Sequence, residues 1–73
     1  MTKTDENGQP LAGAVFEVTR DRNGVVVDTI TTGTDGKAVF NNLLRDNYTI
    51  REVTPPPGYK PLTTTIPIGP DDF

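Results

Sequence analysis

The chain contains no cysteine and no histidine, and these two absences bound its chemistry. Without Cys there is neither a disulfide framework nor a thiolate metal site to staple a small fold together. Without His the commonest zinc ligand and the usual general base are missing. A basic run is absent too. The formal net charge is −3 with both signs interspersed, so the electrostatic footprint of a nucleic-acid binder or of a protein docked on an anionic membrane is not there. No apolar stretch approaches the length of a membrane span or of a signal-peptide core. The absence of a signal says little about location, because Met1 followed at once by domain-like sequence has the look of a recombinant fragment.

What is present suffices for a modest core. Val, Ile, Leu and Phe supply 18 of the 73 residues. That share lies above the level of about 20% below which disorder becomes the default. A chain this short buries only about 60% of its unfolded surface. One small domain spanning residues 1–73 is therefore expected, of marginal stability unless something staples it.

Short apolar runs alternate with turn signals: AVFEV (14–18), VVVDTI (25–30), KAVF (37–40), NYTIREV (47–53) and TTTIPI (63–68). DENGQP, DRNG, TDGK and TPPPG separate them. Runs rich in Val, Ile, Thr, Phe and Tyr at this spacing predict an all-β sandwich or barrel, and no window sustains a helical period. Asn23-Gly24 and Asp35-Gly36 are dipeptides that favour tight turns, so residues 18–31 are expected to form a hairpin. NNLLRDN (41–47) reads as a longer connection whose Leu43 and Leu44 plug one end of the core. Pro67 cannot donate to a ladder and demotes the last run to an edge or bulged strand.

Two residues stand out against this background. In a strand over 48–53, side chains alternate between faces, so Glu52 shares a face with Tyr48 and Ile50, the face that should be buried. An ionised carboxylate buried there costs several kcal/mol, so it must be paired or protonated. The alternative is that Glu52 lies at a frayed strand end and reaches water. Lys3 belongs to TKTDENG, where Thr2, Lys3 and Thr4 are placed to form a first strand. It is either an exposed lysine or, buried beside a carboxylate, an amine able to act as a nucleophile.

The motifs TKTDENGQPLAGAVFEV, TDGKAVFNNL and NYTIREVTPPPGY, in this order and spacing, resemble those of the Cna B-type domains of Gram-positive surface adhesins and pilins. The resemblance runs from about Thr2 to Ile68. It implies a Greek-key β-sandwich of transthyretin-like type. It also implies a spontaneous intramolecular isopeptide bond between a Lys of the first strand and an Asn or Asp of the last, assisted by a buried Glu. By motif, Lys3 matches the reactive lysine and Glu52 the assisting glutamate. No metal or cofactor is implied. The implied setting is extracellular, on a parent protein anchored to the cell wall.

The sequence departs from that pattern at its end. The acceptor belongs on a strand after TTTIPI, where this chain offers only GPDDF. Asn41, Asn42 and Asn47 fall in the wrong segment, and Asp71 and Asp72 follow Ile68 by only three and four residues. The expectation is a sandwich lacking its last strand, whose open groove accepts a separate Asn- or Asp-bearing peptide by strand addition. The rival expectation is an unreactive adhesin or pilin module of the same fold that contacts neighbouring domains. Small-molecule catalysis ranks last, since one Glu with neither His nor Cys leaves few ways to build a site.

Three lesser signals have simpler explanations. Pro56, Pro57, Gly58 and Tyr59 spell PPxY, a WW-domain ligand pattern, but also suit a turn with Tyr59 packed back on the sandwich. Asn47-Tyr48-Thr49 is a glycosylation sequon by spelling, placed at the start of a core strand. Asp21, Asn23 and Asp35 lie near glycines but lack the spacing of a calcium loop, and turn chemistry accounts for them.

Overall fold

The computed structural model of the chain describes residues 1–40 and 43–73. Four antiparallel strands form one sheet: β1 (Val15–Arg20), β2 (Val25–Thr31), β3 (Tyr48–Thr54) and β4 (Ile66–Ile68). Their spatial order is β2-β1-β3-β4. The β1–β2 hairpin turns through residues 21–24, where Gly24 takes a φ of +68°. Asn23 stabilises that turn through its Oδ1, which accepts the Val25 N–H at 3.1 Å.

The period-2 pattern sorts the sheet into two faces. Phe16 and Val18 of β1, Ile30 of β2, and Tyr48 and Ile50 of β3 are buried, together with Ala14 and Ala38 outside the strands. Phe16 lies opposite Ile30 on one side and Glu52 on the other, and Val18 lies opposite Ile50. Burying a side chain such as Phe16 contributes about 1.5–3 kcal/mol, so these few residues supply most of the fold's driving force. On the far face Arg51 and Val53 are exposed and Glu17 and Thr49 are partly so.

Two irregularities break the register. The β1–β2 pairing shifts between Val18 and Thr19, and the β1–β3 pairing shifts between Val15 and Phe16, leaving Val53 unmatched next to Glu52. Such bulges bend a strand and re-aim the side chains beside them.

A thin layer covers the buried face. The N–H of Lys3 donates to the Gly36 carbonyl at 2.6 Å, that of Ala38 to the Met1 carbonyl at 3.0 Å, and that of Leu11 to the Lys3 carbonyl at 2.9 Å. The resulting bridges, Thr2 with Lys37 and Thr4 with Pro10, stay isolated. The expected first strand at Thr2–Thr4 and the expected strand KAVF are therefore no more than bridged segments. Each meets a partner too short to extend a ladder, although Ala38 and Phe40 still turn inward while Val39 is 67% exposed.

Other expectations are corrected in the same way. TTTIPI contributes only Ile66–Ile68 to the sheet, because Pro67 brings no N–H to the ladder and the chain leaves β3 beyond Ile66. Of the pair meant to plug the core, Leu43 packs on it but Leu44 is 70% exposed. The carbonyl of Leu44 is what engages the core, accepting the buried Tyr48 hydroxyl. Tyr59 does not pack back fully and is 47% exposed. Asn41 and Asn42 lie outside the described residues. A 3-10 turn over Pro70–Asp72 ends the chain, with Phe73 tilted against Tyr48 at a centroid distance of 5.9 Å.

Candidate functional site

Glu52 is buried. Its side chain has no exposure, which removes the reading of a frayed end reaching water. The parity of β3 aims it inward, with Phe16 across the ladder and the Val53 bulge directly after it. Oε1 accepts the main-chain N–H of Leu62 at 2.8 Å. Oε2 is buried and has no hydrogen-bond partner among the described residues.

Lys3 faces that free oxygen. Its Nζ lies 3.9 Å from Glu52 Oε2, and its side chain is 16% exposed, so it is not the solvated lysine of the simpler reading. At this separation the two groups attract as charges or dipoles but do not share a hydrogen bond. A buried carboxyl oxygen without a donor carries a desolvation cost of about 1–3 kcal/mol, which a third polar group between acid and amine would relieve.

The backbone around Lys3 is tightly specified by a glycine. Gly36 has a φ of +73°, and a Cβ there would stand 2.4 Å from the Lys3 carbonyl oxygen and 3.0 Å from Pro10 Cβ. Only a residue without a side chain lets the 33–37 turn pass this close to Lys3. Asp35 shapes the same turn through Oδ1, which accepts the Lys37 N–H at 2.9 Å. Asp5 does likewise for the next turn, its Oδ1 accepting from Asn7 at 2.8 Å and Gln9 at 2.9 Å. No group of acidic residues among those described is arranged to hold a metal.

Thr32 ties this layer to the sheet. Its buried Oγ1 accepts the Ala14 N–H at 3.0 Å and donates to the Leu11 carbonyl at 2.8 Å. Neither Thr32 nor the Leu62 amide stands out in the sequence. A lone threonine beside a turn is unremarkable, and a main-chain donor has no residue signature at all.

Successive residues of an extended segment turn their main-chain groups to opposite sides. Since Lys3 directs its N–H and C=O to Gly36 and Leu11, those of Thr2 and Thr4 face the other way. Among the described residues they make no main-chain hydrogen bond, so this segment presents an open edge. Next to it a cleft of about 450 Å³ is lined by Lys3, Asp5, Glu6, Tyr59 and Leu62 among others.

The terminal aspartates are elsewhere. Asp71 faces Arg45 at 3.5 Å, and Asp72 Oδ2 accepts the Gly69 N–H at 2.7 Å. Both belong to the end of the fold where Phe73 meets Tyr48. Glu52 lies four residues further along β3, about 13 Å away at strand rise. Neither aspartate is brought to Lys3.

The antiparallel sheet and its facing layer constitute an all-β, prealbumin-like fold. The chain belongs to the SpaA family of prealbumin-like fold domains, whose model matches residues 1–70. It is 39% identical over 61 residues to serine-aspartate repeat-containing protein D of Staphylococcus aureus (strain Newman), a match covering 84% of this chain. It is 37% identical over 70 residues to serine-aspartate repeat-containing protein C of the same strain, covering 96% of this chain. Among solved structures, the pilus adhesin RrgA of Streptococcus pneumoniae superposes with a TM-score of 0.82 at 36% identity over 94% of this chain. The chain spans only 4% and 7% of the two staphylococcal proteins and 8% of the pneumococcal one.

Proposed function

We propose that the chain is a structural module of a Gram-positive surface adhesin or pilus in which Lys3, assisted by Glu52, forms one isopeptide bond. The acceptor is the side chain of an Asn or Asp on a strand that adds to the open edge at Thr2 and Thr4. The observation that carries this reading is the pair itself: a fully buried carboxyl whose Oε2 lacks a hydrogen-bond partner among the described residues, 3.9 Å from the amine of a lysine whose side chain is only 16% exposed. Neither aspartate of the C-terminal turn is near Lys3, and the reading takes the acceptor from a strand supplied in trans. An added strand is the natural source, since the N–H and C=O groups of Thr2 and Thr4 supply its ladder.

The chemistry follows from the two groups. Attack requires the neutral amine, and polarising the acceptor carbonyl requires the neutral acid, so moving one proton from Lys3 to Glu52 prepares both partners. The Lys3 nitrogen then bonds to the acceptor's side-chain carbonyl carbon while Glu52 hydrogen-bonds its oxygen. A proton leaves the attacking nitrogen through Oε2 and reaches the departing group, which is released as ammonia from Asn or water from Asp. Bonds and protons balance with no other reagent. The module is its own substrate and turns over once, so this is ligation, not enzymatic turnover. In the parent protein it would act outside the cell, as a covalently locked segment of a wall-attached adhesin beside neighbouring domains.

The test uses synthetic strand peptides of about ten residues with alternating apolar side chains and a central Asn or Asp. Glu52→Gln should lower the coupling rate by a factor of about 10²–10⁴, the usual worth of a positioned acid or base. Lys3→Ala should abolish coupling, and both variants should stay folded. Coupling at the wild-type rate in either variant would end the mechanism. A wild-type chain that couples to neither peptide would favour an unreactive module of the same fold.

A further inference from the structure

The stretch 55–65, between β3 and β4, has almost no regular structure, yet it reaches the reactive pair. Its fold is a strap. Pro56 is buried, and the Tyr59 N–H donates back to the Pro56 carbonyl at 3.1 Å, closing a turn in which Gly58 has a φ of +83°. Pro57 lies against Gly13, where a Cβ would stand 3.3 Å from Pro57 Cδ. From this anchored turn the chain returns to Glu52. Among the described residues, the bond from the Leu62 N–H to Glu52 Oε1 is the single hydrogen bond tying 55–65 to the rest of the molecule.

That one bond makes the two carboxyl oxygens unequal. The terminal torsion of a glutamate is broad and nearly two-fold, so a free carboxyl rotates and offers either oxygen. With Oε1 held by an amide, the plane is fixed and Oε2 alone remains toward Lys3 Nζ. We infer that the main-chain amide of Leu62 is a positioning group for isopeptide formation, holding the Glu52 carboxyl so that Oε2 alone exchanges protons with Lys3 and the acceptor. The inference rests on the ligation reading above. The amide touches neither Lys3 nor the new bond and acts only through Glu52. Leu62 is 41% exposed, so its side chain adds little packing to this role. Any residue that keeps an N–H at this position serves, and proline does not.

At 73 residues the chain is within reach of total synthesis. Replacing Leu62 by 2-hydroxy-4-methylpentanoic acid exchanges the N–H for an ester oxygen and leaves the side chain in place. Leu62→Ala keeps the N–H and trims the side chain. Coupling to the Asn peptide is followed at increasing peptide concentration, separating the rate at saturation from the half-saturating concentration. The ester should couple about three- to tenfold more slowly at saturation, in line with the loss of one ordinary hydrogen bond. Its half-saturating concentration should be unchanged, and Leu62→Ala should match the wild type. An ester that couples at the wild-type saturated rate, or that is slowed only through weaker binding, overturns the inference while leaving the ligation reading intact. A wild-type chain that never couples removes both.

Hydrogen exchange checks the contact without any chemistry. In the wild type the Leu62 amide should exchange much more slowly than that of Lys60, which donates to no described group. This protection should persist in Glu52→Gln, which keeps an acceptor oxygen, and vanish in Glu52→Ala. Equal exchange at 60 and 62 in the wild type overturns the inference.

Discussion

The two faces of this small molecule are built to different standards. The sheet consists mainly of six- and seven-residue strands paired along their length with one bulge in each of the β1 pairings, β1 being bracketed by β2 and β3. Among the described residues the facing layer has two isolated bridges and no ladder, and scattered contacts secure it: Gly36 under Lys3, Thr32 to Leu11 and Ala14, and Leu62 on Glu52. Glu52 belongs to the well-built half and Lys3 to the thin one. The sheet thus fixes the acid, while the amine sits on a segment whose edge has no main-chain partner among the described residues, where few contacts need to be rearranged to admit another strand.

This contrast can be broken from either side. The largest effect is expected from Phe16→Ala, which removes the side chain opposite both Ile30 and Glu52. It should cost about 3–5 kcal/mol in denaturant unfolding, enough to unfold a domain of this size. A loss below about 1 kcal/mol would show that Phe16 is not the centre of the core.

Next comes Gly36→Ala, which sets a Cβ against the Lys3 carbonyl and forces a positive φ on a residue with a side chain. It should cost up to about 3 kcal/mol and slow coupling, while amide protection in β1 and β3 is retained. Equal loss of protection in the sheet and at residues 1–4 would mean that the two halves unfold as one unit. The smallest effect is expected from Thr32→Val. It leaves the Ala14 N–H and the Leu11 carbonyl without their shared partner, at a cost of about 1–2 kcal/mol by thermal or denaturant melts. A neutral result would show that the link between layers lies elsewhere.

The same contrast governs what could be read in advance. Strand alternation in YTIREV put Glu52 on the face of Tyr48 and Ile50 but left open a frayed end reaching water; β3 lies between two partners, its register has little freedom, and Glu52 is buried. NG at the β1–β2 turn was legible for a local reason, the positive φ of Gly24. KAVF read as a strand and is not one, since whether an apolar run extends a ladder depends on the length of its partner. Leu44 read as core and is exposed, because a pair of leucines in a connection gives no hint of which one the chain path turns inward. The Leu62 amide and the Thr32 bridge were invisible for a deeper reason. Each depends on a main-chain group brought close by tertiary structure, and main-chain groups are the same at every position.

The most direct test of the central claim is the intact mass, under denaturing conditions, of the purified chain after mixing with the Asn or Asp strand peptide. The account predicts a species equal to chain plus peptide less one ammonia for Asn, or less one water for Asp, and its absence when Lys3 is alanine. Separate chain and peptide at their formula masses, with strand binding demonstrated under native conditions, would contradict it.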